Sequence, residues 1–197
     1  MNVDFIDFLC FLLAYLVGSL SFAIYVSKMF QLSDPRSYGS GNPGATNVLR
    51  SGKKMAAVLT LLGDSSKGFV VVLLAHFVGN TPFISIAALC VFLGHLFPIF
   101  HHFKGGKGVA TAAGILLALN PYLCLSLVLV WLFLAFTTRY SSLAAILSAL
   151  CLPFLGVYFL DFPFLPLCLA MMLLLLFKHR HNIVRLIQGK ESKIGKK

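Results

Sequence analysis

The chain has 197 residues, 59% of them hydrophobic and only 11% charged, with a formal net charge of +10 at pH 7. A soluble domain is about half apolar and about a quarter charged, so this composition excludes a water-soluble globular fold and points to a bilayer. The basic residues stand between the apolar runs, as orientation in a membrane requires, so the positive charge is no sign of a nucleic-acid partner.

The first apolar run, residues 5–26, exceeds the about 20 residues that a span needs. Asp4 and Asp7 open it with no basic segment before it, so it reads as a membrane helix and not as a cleavable leader. Further spans are expected at 55–79, 83–100, 142–160 and 162–177. The stretch 109–137 is long for one crossing and short for two. Asn120-Pro121 is a turn signal, which divides it into 109–119 and 122–137, as two short or tilted helices or a re-entrant pair.

Charge sets the expected orientation. Lys28, Arg36, Arg50, Lys53 and Lys54 mark one loop, Lys104 and Lys107 a second, Arg139 a third, and the chain ends in the basic stretch Lys178–Lys197. If basic loops are cytoplasmic, the chain crosses an even number of times between Lys107 and Arg139. The expectation is a single domain over 1–197: an all-α, polytopic membrane bundle of about seven transmembrane helices. Its N-terminus would be outside, its C-terminus cytoplasmic, and a short basic tail would begin near residue 187. Cys10, Cys90, Cys124, Cys151 and Cys168 lie inside apolar runs without C-x-x-C spacing, and read as small apolar packers, not disulfides or metal ligands.

Three polar islands interrupt this pattern. The first is GSGNPGATNVLR, Gly39 to Arg50. It matches G-x-G-x-x-G, but a dinucleotide fingerprint needs a strand before it and a βαβ unit around it, and here the flanks are a span and a basic loop. The physics of glycine still applies: it admits positive φ and lets backbone N–H groups approach an anion. Ser40, Gly41, Asn42, Gly44, Thr46 and Asn47 are candidate binding residues, and Arg50 offers a fork suited to phosphate oxygens. The bland alternative is a turn built of turn-formers. The second island, GHLFPIFHHFKGGKGVAT from Gly94 to Thr111, holds His95, Lys104, Gly105, Gly106 and Lys107 ahead of a helix. It lacks the Walker A spacing, and surface anchoring of its lysines is the alternative reading. The third, KHRHNIVRL from Lys178 to Leu186, puts His179 and Asn182 on one helical face and His181 and Arg185 on another. A basic juxtamembrane collar is the alternative there. Within the second span, Asp64 and Lys67 can pair at i, i+3. Charge at that depth is costly, and the pair reads equally as a bundle brace or as part of a site. The histidines have no carboxylate or cysteine company suited to a metal, so no metal or cofactor is expected.

Together these islands, in this order, resemble the three motifs of the bacterial acyl-phosphate:glycerol-3-phosphate acyltransferase family of the inner membrane. DSSKG from Asp64 to Gly68 and RYSSL from Arg139 to Leu143 fit the resemblance. It implies a seven-helix enzyme of the bacterial inner membrane that moves a fatty acyl group from acyl-phosphate to the 1-hydroxyl of sn-glycerol 3-phosphate. It also implies partners: the two substrates, the lipid bilayer, and an enzyme that makes acyl-phosphate. The family's active-site serine would be Ser142, with Ser141 in reserve. Acyl-CoA-type acyltransferases carry His-x-x-x-x-Asp, and no histidine here is followed five residues on by aspartate; nor is there a G-x-S-x-G elbow.

The expected mechanism has the 40–47 loop cradling acyl-phosphate, while Arg50 and Lys107, with Ser142, His179 and Asn182, hold glycerol 3-phosphate. His179 or His95 is the base, or the reacting phosphate takes the proton itself. The alternative function is a small phosphate or organophosphate transporter, which would share basic, glycine-rich loops but place its site near the midplane, often on repeated broken helices.

Overall fold

The computed structural model describes residues 4–195. The described residues form ten α-helices and no strand. They are α1 (Phe5–Gly18), α2 (Phe22–Met29), α3 (Ala45–Leu49), α4 (Lys54–Val78), α5 (Thr81–Leu96), α6 (Val109–Leu119), α7 (Pro121–Thr138), α8 (Ser141–Phe159), α9 (Leu165–Lys178) and α10 (Arg180–Ile187). Short 3₁₀ turns at Ile99–His101 and Phe162–Phe164 extend the ends of α5 and α9.

Four of these stretches are long and apolar enough to cross a membrane alone: Lys54–Val78, Thr81–His101, Pro121–Thr138 and Ser141–Phe159. Counting each of two bent pairs as one span gives six. The remaining expected span falls on α6, whose eleven residues reach about 16 Å at 1.5 Å per residue, roughly half of the about 30 Å hydrocarbon core. Asn120 separates α6 from α7 and caps the latter: its Oδ1 accepts from the N–H groups of Tyr122 and Leu123 at 2.9 and 3.1 Å.

The first expected span is not one helix. α1 and α2 meet at 42° across Ser19–Ser21. Ser19 Oγ donates to the Tyr15 carbonyl at 2.9 Å, a back-bond that competes with the helical ladder and bends it. The break frees the Leu20 carbonyl, which Lys67 Nζ takes at 2.7 Å.

Small residues set the helix crossings. A Cβ on Gly114 would collide with the Ser65 carbonyl and one on Gly68 with that of Thr111, so α6 lies tightly along α4. Gly18 and Gly94 bring α1 equally close to α5. Lipid gives no hydrophobic drive for one helix to leave it for another, so close packing of this kind carries the association. Phe92, Leu96, Ile115, Leu123, Leu152 and Met171 fill the centre. Outward-facing Phe77, Phe136 and Phe154 are 81%, 88% and 78% exposed; such faces are a liability in water and suit acyl chains. All five cysteines are free.

Candidate active site

At one end of the bundle the loop before α3, the loop before α6, and α10 converge on a cleft of about 240 Å³. Its lining is Ser40, Gly41, Asn42, Gly105, Lys107, Lys178, Arg180, His181, Asn182 and Arg185. Four of these are cations and none is a carboxylate, so the cleft is built for an anion.

The first loop is shaped by its own hydrogen bonds. Gly39 and Gly41 have φ of +59° and +66°, a region that glycine reaches without penalty. The N–H groups of Gly41 and Gly44 go to the carbonyls of Tyr38 and Asn42 at 3.0 Å each. Asn47 is buried and spends its whole amide on the loop: Oδ1 accepts from Ser40 N–H at 2.9 Å, and Nδ2 donates to Pro35 and Tyr38 carbonyls at 2.6 and 3.1 Å. This corrects two sequence expectations. The amides of Ser40, Gly41 and Gly44 are not free to cradle an anion, and Asn47 is a staple with no donor left to offer. What the loop presents to the cleft is Ser40 and Asn42. The helix expected after it is α3, five residues long, too short to bring much dipole to bear. Thr46 on it faces Ser141, Oγ1 to Oγ 3.4 Å.

The second loop folds back over the end of α5. Phe103 N–H donates to the Pro98 carbonyl at 2.9 Å and Gly106 N–H to the His95 carbonyl at 3.2 Å. Gly105 leaves no room for a Cβ beside the His95 and Leu96 carbonyls. These contacts aim Lys107 into the cleft, where Nζ donates to Asn182 Oδ1 at 2.5 Å. Burial brings the Lys107 ammonium down to about 8; Glu191 opposes that drop, and Arg185, Arg50 and Lys178 add to it. Lys104 is exposed and does not line the cleft. His95 is buried beneath Gly106 and bonded to Lys67, so it is not at the cleft wall either.

The third island opens at His179, the N-cap of α10. His179 and Asn182 do share a face, and both are 2% exposed. His179 Nδ1 donates to the Leu175 carbonyl at 2.8 Å, which leaves Nε2 as the ring's acceptor. Asn182 Nδ2 donates to Glu191 Oε1 at 2.6 Å. Lys178 Nζ donates to the Leu96 carbonyl at 2.7 Å, tying α9 to the end of α5.

Glu191 is the residue that sequence reasoning missed. In the sequence it reads as one residue of a basic tail. The chain after α10 instead turns back onto the site. Glu191 Oε1 accepts from Ser142 Oγ at 2.7 Å as well as from Asn182, and Oε2 accepts from Arg185 Nε at 2.7 Å. Burial alone would raise its carboxyl; hydrogen bonds from Ser142, Arg185 and Asn182 outweigh that and hold it below its ordinary value. Ser192 Oγ accepts from Arg50 Nη2 at 2.6 Å. Ile194 N–H donates to the Arg139 carbonyl at 2.7 Å, and Arg139 Nη2 to the Ile194 carbonyl at 3.0 Å. A lone carboxylate in a lysine- and arginine-rich segment was the available signal. Ser142 and Arg50 thus stand beside the cleft, each engaged by the tail.

Fold and site together define an integral membrane protein with a polar, cation-lined cleft at one end of an apolar helical bundle. A family model described as glycerol-3-phosphate acyltransferase matches residues 8–189, and the chain belongs to that family. It is 56% identical over 191 residues to the glycerol-3-phosphate acyltransferase of Nitrosospira multiformis, covering 93% of this chain and 94% of the relative. It is also 56% identical to that of Nitrosomonas eutropha, with the same coverage. The crystal structure of PlsY (YgiH), an integral membrane glycerol 3-phosphate acyltransferase, in its glycerol 3-phosphate form superposes with a TM-score of 0.90 at 38% identity, over 96% of each chain. The lysophosphatidic acid form gives 0.88 at 37% identity, over 96% of this chain and 95% of that one.

Proposed function

We propose that this membrane acyltransferase moves a fatty acyl group from acyl-phosphate to the 1-hydroxyl of glycerol 3-phosphate, at the cytoplasmic face of a bacterial inner membrane. Membership of the glycerol-3-phosphate acyltransferase family carries the acceptor and the reaction class and displaces the transporter alternative. One observation carries the assignment of the site. Ser40, Lys107 and Asn182 come from the three separate islands and meet in one cation-rich cleft. A soluble phosphorylated acceptor can enter such a cleft, while a lipid-like donor reaches it from the bilayer. The basic character of the loops that line it supports a cytoplasmic cleft, with seven crossings if α6 and α7 return as a pair.

Acyl-phosphate is a mixed anhydride and needs no covalent enzyme intermediate. The 1-hydroxyl oxygen attacks the carbonyl carbon, an ester C–O bond forms, the bond from carbon to the phosphate oxygen breaks, and inorganic phosphate leaves. Lys107 holds the acceptor phosphate, with Arg50, Arg185, Ser142 and Asn182 around it. Ser40 and Asn42, with Gly105 opposite, hold the head of acyl-phosphate, and Thr46 stands behind them; Gly106, whose N–H is spent on the His95 carbonyl, only shapes the loop. The hydroxyl proton goes to His179 Nε2 or to the leaving phosphate. Positioning of two anions by fixed donors then supplies most of the acceleration.

The test is phosphate release by the purified protein given palmitoyl-phosphate, with and without glycerol 3-phosphate. Release that depends on glycerol 3-phosphate, fails with palmitoyl-CoA and falls sharply in Lys107→Ala supports the donor and the site. Equal turnover of palmitoyl-CoA would overturn the donor; an unaffected Lys107→Ala would overturn the site.

A further inference from the structure

A charged triad lies buried below the second loop. Asp64 and Lys67 of α4 and His95 of α5 are 1%, 4% and 6% exposed. Lys67 Nζ is 2.7 Å from the Leu20 carbonyl, 2.9 Å from His95 Nδ1 and 2.9 Å from Asp64 Oδ1. The Asp64 contact is Coulombic, since Oδ1 accepts no directed hydrogen bond among the described residues. His95 Nδ1 is also 3.5 Å from Asp64 Oδ1.

Fold alone accounts poorly for this group. Removing such charges from water is costly, and apolar side chains of similar volume would pack at less cost. Capping the Leu20 carbonyl explains one donor of Lys67, but not the imidazole. The donor inventory is more informative. An ammonium only donates, so His95 Nδ1 accepts from it and the ring proton lies on Nε2. That edge of the ring abuts Gly106, where a Cβ would collide with Nε2, and the Pro43 carbonyl of the first loop flanks the same point. Gly106 N–H is bonded in turn to the His95 carbonyl. His95 therefore abuts the second glycine loop at Gly106, one residue away from Lys107, where the first loop's Pro43 carbonyl also comes close to Gly106.

We propose that Lys67 is a positioning residue for the acyl transfer: by donating to His95 Nδ1 it fixes the tautomer and plane of the ring, and the ring sets the height of Gly106 and the aim of Lys107. Asp64 keeps Lys67 charged in place. The inference rests on the assignment of the glycerol 3-phosphate anion to Lys107.

The experiment uses the full-length enzyme in lipid, labelled with 15N-histidine, with the His95 ring signals assigned by their loss in His95→Gln. The expected wild-type spectrum has Nδ1 unprotonated and Nε2 protonated. Lys67→Met and the charge-neutral double variant Asp64→Asn/Lys67→Met lose that fixed tautomer. In the double variant the KM for glycerol 3-phosphate rises about tenfold or more, while the KM for palmitoyl-phosphate changes by less than about twofold. A wild-type His95 bearing its proton on Nδ1 would overturn the proposal whether or not any variant folds. So would a folded double variant with an unchanged acceptor KM, or one in which melting temperature and kcat fall with neither KM moved. Lys107→Ala separates the two levels. An unchanged acceptor KM there removes the underlying assignment, whereas an impaired Lys107→Ala beside an Nδ1-protonated His95 removes this proposal alone.

Discussion

Lys107 Nζ and Asn182 Oδ1 are 2.5 Å apart across 75 residues of sequence, and this contact joins the loop before α6 to the first turn of α10. Its other side is equally engaged, because Asn182 Nδ2 donates to Glu191. Asn182 is thus a relay that holds a cation with its oxygen and an anion with its nitrogen. Asn182→Ala removes both bonds, and hydrogen bonds to charged groups are worth about 1.5–3 kcal/mol. We expect kcat/KM for glycerol 3-phosphate to fall about 10- to 100-fold, read from initial rates of phosphate release. Asn182→Asp should be at least as impaired, since it sets a second carboxylate against Glu191.

The depressed Lys107 ammonium predicts a pH limb. Its pKa is brought down to about 8 by burial, so the cation is present below that value and lost above it. Phosphate monoesters become dianions above about pH 6. The kcat/KM for glycerol 3-phosphate should therefore plateau between these values and fall as pH rises past about 8. Lys107→Arg retains its charge at every accessible pH. The high-pH limb should vanish in whatever activity that variant keeps; a limb at the same pH in both proteins would assign it elsewhere.

Asn47 tests the shape of the first loop. Aspartate would keep the acceptor for Ser40 N–H but would put an oxygen where Nδ2 now meets the carbonyls of Pro35 and Tyr38. Leaving such buried groups unsatisfied costs about 1–3 kcal/mol each. Asn47→Asp should lower the melting temperature and raise the KM for palmitoyl-phosphate, although Asn47 does not line the cleft. Differential scanning of the purified variant and a donor titration check the two halves.

Glu191 gives a prediction of the opposite pH sign. Its folded pKa is lowered, so it adds stability above its unfolded value of about 4.3, and that stability is lost as pH falls through the lowered folded value. The melting temperature of the wild type should drop on acidification in this range, and that of Glu191→Gln should drop less. At pH 7, Glu191→Ala should melt lower than Glu191→Gln. Glutamine keeps an acceptor for Ser142 and Asn182; alanine leaves both, and Arg185, without one.

The helices were legible because membrane segments announce themselves by length and hydropathy. The boundaries expected at 55–79 and 142–160 fall within one residue of α4 and α8. Asn120 was legible as a divider because its turn chemistry is local. The break after Gly18 was not, because it depends on a serine back-bond and on Lys67 from another helix taking the freed Leu20 carbonyl. At the site, sequence picked out Lys107 and Asn182 by residue type, and Ser142 through the family resemblance. It could not tell Asn42, which faces the cleft, from Asn47, which holds the loop, since that difference lies in which carbonyls the fold delivers. Glu191 escaped for the same reason, as its three donors come from α8 and α10.

The return of the tail onto Ser142 and Asn182 makes the polar end of the bundle a docked assembly. Glu191 is held by donors on two separate helices, α8 and α10, so its place depends on how those helices meet. A change in the crossing of α8 and α10 is thereby felt at a carboxylate that belongs to neither.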